Sequence, residues 1–172
     1  MFDSTQGVPL SFTPAKICDM LPTERVLCQH ESSSKKSVLT AVGELFHQSL
    51  NHLDTTSLFD AYIARERLGS TALGHGIAIP HIRIESVNHP LMALLQLKQG
   101  IDFGAEDKQP VDIIIALLVP DHHAEEHLNL LAKLAQNLSQ SSVRRQLREA
   151  QTPRQLHQRF INSHAHKQPI SA

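Results

Sequence analysis

The chain has 172 residues, is 41% hydrophobic, and sets sixteen Lys and Arg against seventeen Asp and Glu, which fits one domain with a sizeable core. The balanced charge leaves no basic footprint for nucleic acid, and one Tyr with no Trp leaves no stacking platform for single strands. Two isolated cysteines, Cys18 and Cys28, exclude a disulfide scaffold and a four-cysteine zinc site, and they fit a reducing cytoplasm.

Residues 1–15 are polar with scattered Pro and Gly and read as a flexible arm, with no basic-then-apolar leader pattern. Arg25 to Cys28 is a short β-like run. Ser32-Ser33-Ser34 is a cap cluster for a helix over Lys35 to Leu50, with Val38, Val42, Leu45 and Phe46 at helical spacing. Asp54-Thr55-Thr56 opens a second helix that carries Leu58, Phe59, Tyr62 and Ile63 and ends near Leu68, before Gly69. Gly69 to Gly76 is a loop with three glycines, and Ile77 to Ile84 alternates like a strand that Pro80 confines to an edge or stops.

Leu91 to Leu97 and Val111 to Val119 read as strands, the second buried on both faces, with a short strand over Gly100 to Gly104 between them. The apolar run Ile113 to Val119 is too short to span a bilayer, so direct membrane insertion is not expected. A helix over Ala124 to Gln140 places Leu128, Leu131, Leu134, Ala135 and Leu138 on one face. Short helices follow near Ser142 to Ala150 and Thr152 to Ile161, and residues 163–172 read as a flexible tail. Helices before, between and after the strands predict an α/β (α+β) fold, a mixed sheet flanked by helices on both faces, in one domain over 16–162.

The glycine loop running into Pro80-His81 carries the chemistry. Glycines let the backbone turn tightly and approach a ligand, and Ser70 and Thr71 add hydroxyl donors that could hold phosphate oxygens. A neutral imidazole can attack phosphorus, and an ordinary pKa of about 6.5 leaves a histidine such as His81 mostly neutral in the cytoplasm.

The run Gly69-Ser70-Thr71-Ala72-Leu73-Gly74-His75-Gly76-Ile77-Ala78-Ile79-Pro80-His81 closely resembles the phosphorylation-site signature of the type-2 enzyme IIA family of the bacterial phosphotransferase system (PTS), which covers fructose, mannitol and nitrogen-regulatory types. Arg65-Glu66-Arg67-Leu68, Gln109-Pro110-Val111-Asp112, Ala116 to Pro120 and Glu126-His127-Leu128 resemble further segments of that family in the same order, so the likeness spans roughly residues 15–162. The resemblance implies a phosphohistidine-forming phosphoryl carrier. His81 matches the acceptor through Nε2, His127 the second active-site histidine and Arg65 the active-site arginine. It further implies a small HPr-like phosphocarrier protein as donor, regulatory target proteins, no cofactor and no metal. Leu117-Leu118-Val119-Pro120 is more similar to the nitrogen-type branch. Two positions depart from the family: His75 stands where Asn is usual, and Ile82 where Gly is usual. Ile82 is expected to narrow access to His81 or to add apolar surface for the carrier.

Three other functions compete. A sugar-specific IIA component would pass its phosphoryl group to a IIB domain. A binding module without phosphotransfer is kept open by Ile82. A metal hydrolase would use His123 and His127 at i, i+4, but the catalytic Glu of that motif belongs directly after the first His, where Ala124 stands.

Overall fold

The computed structural model describes residues 14–165. Its elements are α1 (Pro14–Met20), a 3₁₀ turn (Thr23–Arg25), β1 (Val26–His30), α2 (Lys35–Ser49), α3 (Thr55–Arg67), β2 (Ala72–Gly74), β3 (Ile77–Ala78), β4 (His81–Ile84), β5 (Leu91–Ile101), β6 (Val111–Pro120), α4 (Ala124–Leu138), α5 (Ser141–Glu149) and α6 (Pro153–Ser163).

The six strands make one mixed sheet ordered β1-β5-β6-β3-β2. β6 is the axis. It pairs antiparallel with β5 on one side, and on the other it pairs parallel with β3 and then β4, end to end. Alternation along β6 feeds two cores. Ile114, Ala116 and Leu118 pack under α2 and α3, and Ile113, Ile115, Leu117 and Val119 pack under α1, α4, α5 and α6. This is the expected mixed sheet with helices on both faces.

Local chemistry explains the boundaries. Ser34 and Ser37 form a reciprocal capping box at α2, and the Asp54 carboxylate accepts from the Ser57 amide at α3. Thr152 caps α6 with Pro153 in its first turn. Pro80 interrupts what the sequence reads as one strand, so β3 and β4 are separate pieces on the same neighbour.

Several expectations need correction. Most of the expected N-terminal arm lies outside the described residues, but Pro14 and Ala15 already belong to α1, whose Ile17 is buried in the second core. No separate strand forms over Gly100 to Gly104; β5 continues to Ile101, with an irregularity between Gln96 and Ile101. On α4 the buried stripe is His127, Leu130, Leu134 and Leu138, while Leu128 is 64% exposed. At the tail, Ser163 closes α6 and the His164 ring packs against Phe160, with centroids 4.9 Å apart, whereas 166–172 lie outside the described residues.

Candidate active site

His81 opens β4 next to Pro80. Pairing with Leu117 fixes its position, and Leu117 in turn accepts a 2.8 Å hydrogen bond from the buried Tyr62 hydroxyl at its carbonyl. In an alternating strand, Ile82 faces the α2–α3 core and His81 the opposite side. Ile82 is only 6% exposed, so it neither narrows access to His81 nor adds surface for a partner. That removes the feature on which the binding-module reading rested.

The ring of His81 is held by its own backbone. Its Nδ1 lies 2.7 Å from the Ile79 carbonyl, which can only accept, so Nδ1 carries the proton and the neutral ring keeps its lone pair on Nε2. Burial lowers the His81 pKa from its ordinary value. The Ile79 hydrogen bond and Glu66 act upward, while Arg65 and Arg83 act downward. Burial thus favours the neutral imidazole, with its free lone pair on Nε2.

A cleft of about 340 Å³ adjoins His81, and Arg65, Ser70, Thr71, Leu73 and Leu131 line it too. The structure thus gathers four of the five expected site residues. Both hydroxyls and one Arg65 nitrogen are already engaged, however. Arg65 Nη1 donates to the Gly69 carbonyl at 2.9 Å, and Ser70 Oγ donates to the Phe103 carbonyl at 2.8 Å. Thr71 Oγ1 donates to Glu66 Oε1, so the only hydroxyl proton of Thr71 points away from any anion in the cleft.

His127 is only 5% exposed and lines a different cavity, beside α1 and the β4–β5 connection. Its Nδ1 is buried without a hydrogen-bond partner. Burial lowers its pKa first, and Arg83 adds to the effect. Arg83 therefore acts on both histidines.

Two residues beyond the expected set shape this site. Glu66 is buried, with its carboxylate accepting from the Thr71 amide and hydroxyl and 3.0 Å from Lys35 Nζ. A sequence signal existed: Leu58, Tyr62 and Glu66 fall at i, i+4 and i+8, which puts the carboxylate on the buried stripe of α3. Arg83 was equally legible, because two residues after His81 in a strand means the same face.

The glycine loop is a hairpin. Gly74 pairs with Ile77, and the two residues between, His75 and Gly76, both have positive φ (55° and 81°), as a type I′ turn requires. Histidine, like asparagine, is among the side chains better able to adopt that conformation, which accounts for His75 at a position usually Asn. The His75 amide donates to Asp107 Oδ2 at 2.8 Å, and its carbonyl accepts from Arg148, which also holds Asp112 in an ion pair. His75 does not line the His81 cleft. Among the described residues no three His, Cys, Asp or Glu side chains converge on a metal position, and no helix is long and apolar enough to cross a membrane.

Comparison with known proteins identifies the family. Residues 19–163 match the family described as "Phosphoenolpyruvate-dependent sugar phosphotransferase system, EIIA 2". The chain is 42% identical over 143 residues to a nitrogen regulatory protein of Pseudomonas aeruginosa, covering 83% of this chain and 93% of that one. It is 40% identical over 135 residues to its Escherichia coli K12 namesake, covering 78% and 80% respectively. The crystal structure of the nitrogen regulatory protein IIA-Ntr from Neisseria meningitidis superposes with a TM-score of 0.79 at 35% identity, covering 84% of this chain and 99% of that chain. The chain belongs to the EIIA 2 family of the phosphoenolpyruvate-dependent sugar phosphotransferase system and is a phosphoryl-carrying component of that system.

Proposed function

We propose that His81 is the phosphoryl acceptor, that the donor is an HPr-like phosphocarrier protein of the cytoplasm, and that the protein reports its phosphorylation state to regulatory targets in the nitrogen-type manner. The observation that carries this reading is the Nδ1–Ile79 hydrogen bond, which leaves Nε2 as the nucleophilic atom beside a cleft lined by Arg65, Ser70 and Thr71. In the transfer, the bond between phosphorus and the carrier's histidine nitrogen breaks as the bond to His81 Nε2 forms, and no proton need move. Arg65 turns from the Gly69 carbonyl to the phosphoryl oxygens, where its planar fork suits them. Ser70 and Thr71 contribute only if their hydroxyls leave Phe103 and Glu66. His127, which lines the neighbouring cavity and not the cleft itself, offers its unpartnered Nδ1 to a phosphoryl oxygen once the group is in place, and Arg83 adds positive charge felt by both histidines. Exposed Leu73, and Leu68 beyond it, give the rim of the cleft an apolar patch on which a carrier can seat.

The test is incubation with phosphoenolpyruvate, enzyme I and the phosphocarrier of the same system. The expected result is an acid-labile, base-stable mass gain of one phosphoryl group that His81→Ala abolishes. No gain from a demonstrably phosphorylated carrier would overturn the reading. Onward transfer to a IIB domain would place the chain in sugar uptake instead.

A further inference from the structure

The strand that forms one rim of the His81 cleft has little to hold it from within the sheet. β2 is three residues long and ends the strand order, paired among the described strands with the two-residue β3 alone. Strands this short are marginal without outside support. Ala72 and Leu73 of β2 nevertheless line the cleft, and Leu73 is 48% exposed there.

The support is applied at the turn. Arg148 on α5 grips the Asp112 carboxylate with two parallel bonds, Nε 2.9 Å from Oδ2 and Nη2 3.0 Å from Oδ1, and Nη2 also donates to the His75 carbonyl. One planar group therefore ties α5, the start of β6 and the β2–β3 turn together. Asp107, in the β5–β6 connection, accepts from the His75 amide at 2.8 Å and holds the same turn. Gly76 permits the approach, because a Cβ there would lie 2.8 Å from Asp112 Oδ1 and against the guanidinium. Arg144, one turn earlier on α5, is occupied elsewhere, its Nη1 donating to the Leu138 and Ser139 carbonyls. Arg148, Asp112 and Asp107 do not line the His81 cleft, so contact with a phosphoryl group does not account for them.

We propose that Arg148 is a positioning residue for carrier docking: by clamping the β2–β3 turn it holds Leu73 where the phosphocarrier seats. The inference rests on the reading of the cleft rim as the carrier's seat. Lysine cannot take this place, because a single ammonium has no rigid fork to span a carboxylate and a carbonyl together. The His81 ring is held by its own bond to Ile79 and not by the clamp. Arg148 thus acts on carrier affinity and leaves the chemical step alone.

The experiment compares the full chain with Arg148→Lys and Arg148→Gln, using the phosphorylated phosphocarrier of the same system at a temperature where circular dichroism shows every variant folded. Asp54→Ala, which removes the α3 cap, controls for lost stability alone. The expected result is a KM for the carrier raised about five- to tenfold in both Arg148 variants, with kcat within about twofold of the parent. Amide hydrogen exchange at Leu73 and His75 should quicken, and the His81 NMR titration midpoint should stay in place. Asp54→Ala should lower Tm without raising KM. An unchanged KM in Arg148→Gln, a KM restored by Arg148→Lys, or an equal rise in Asp54→Ala overturns the proposal. So does a loss confined to kcat or a shifted His81 midpoint. A parent chain that takes no phosphoryl group overturns the carrier reading along with it, whereas a competent parent with unaffected Arg148 variants overturns this inference alone.

Discussion

Replacing Glu66 with Gln tests whether a buried carboxylate keeps the cleft in its resting arrangement. Its side chain is 4% exposed and lies 3.0 Å from Lys35 Nζ, which is 27% exposed. At an effective dielectric of about 20, two unit charges at that separation attract by about 5.5 kcal/mol. Desolvation and the partly wet lysine offset part of this, so loss of the charge should cost about 2–3 kcal/mol net. In a chain of this size that corresponds to a fall in Tm of roughly 5–10 °C. A double-mutant cycle with Lys35→Met should show a coupling of about 1–2 kcal/mol by urea unfolding. A second readout is independent of stability. Glu66 acts upward on the His81 pKa, so Glu66→Gln should move the NMR titration midpoint of His81 downward. An unchanged Tm with no coupling, or a midpoint that rises, would refute the reasoning.

Acid should destabilise the protein through His164, which burial pushes down to about 4 while its Nε2 accepts from Asn137. The unfolded chain then binds the extra proton first, so stability is full above the ordinary histidine value and falls as pH drops from about 6.5 towards 4, by up to about 3 kcal/mol. Urea melts should show His164→Leu with a flatter dependence over that window than the parent. Gly76→Ala should lower Tm more than Gly69→Ala, because a Cβ at Gly76 would sit 2.8 Å from Asp112 Oδ1 and against the Arg148 guanidinium at φ +81°, whereas one at Gly69 meets open space at φ +152°. The difference should be about 1–2 kcal/mol. Leu73→Asp, at a residue 48% exposed, should slow phosphoryl transfer from the carrier about tenfold at saturating phosphoenolpyruvate while leaving Tm within about 2 °C.

Much of the architecture was legible because periodicity and caps agreed. Ser34 and Asp54 mark the helix starts that their side chains build, and the apolar run of β6 sits at the centre of the sheet. What escaped did so for identifiable reasons. α1 is only seven residues long. The β2–β3 hairpin hides behind His75, since Asn-Gly is the strong turn signal and His-Gly a weak one. On α4, His127 occupies a slot on the buried stripe, and the leucine beside it, Leu128, turns to solvent. At the cleft, the identities of Arg65, Ser70, Thr71 and His81 could be read from the chain. What could not be read is that the hydroxyl protons already belong to Phe103 and Glu66, because those partners are set by tertiary packing.

The hydrogen bond between His81 and Ile79 reaches back across Pro80, within the short break that separates β3 from β4. The aim of the His81 ring is therefore written into a tripeptide, whereas its electrostatic setting comes from α3 and from Arg83. Those are separable inheritances. Substitutions on α3 can retune how readily the imidazole gives up its lone pair without turning the ring, so the basicity of His81 can drift while its orientation stays fixed.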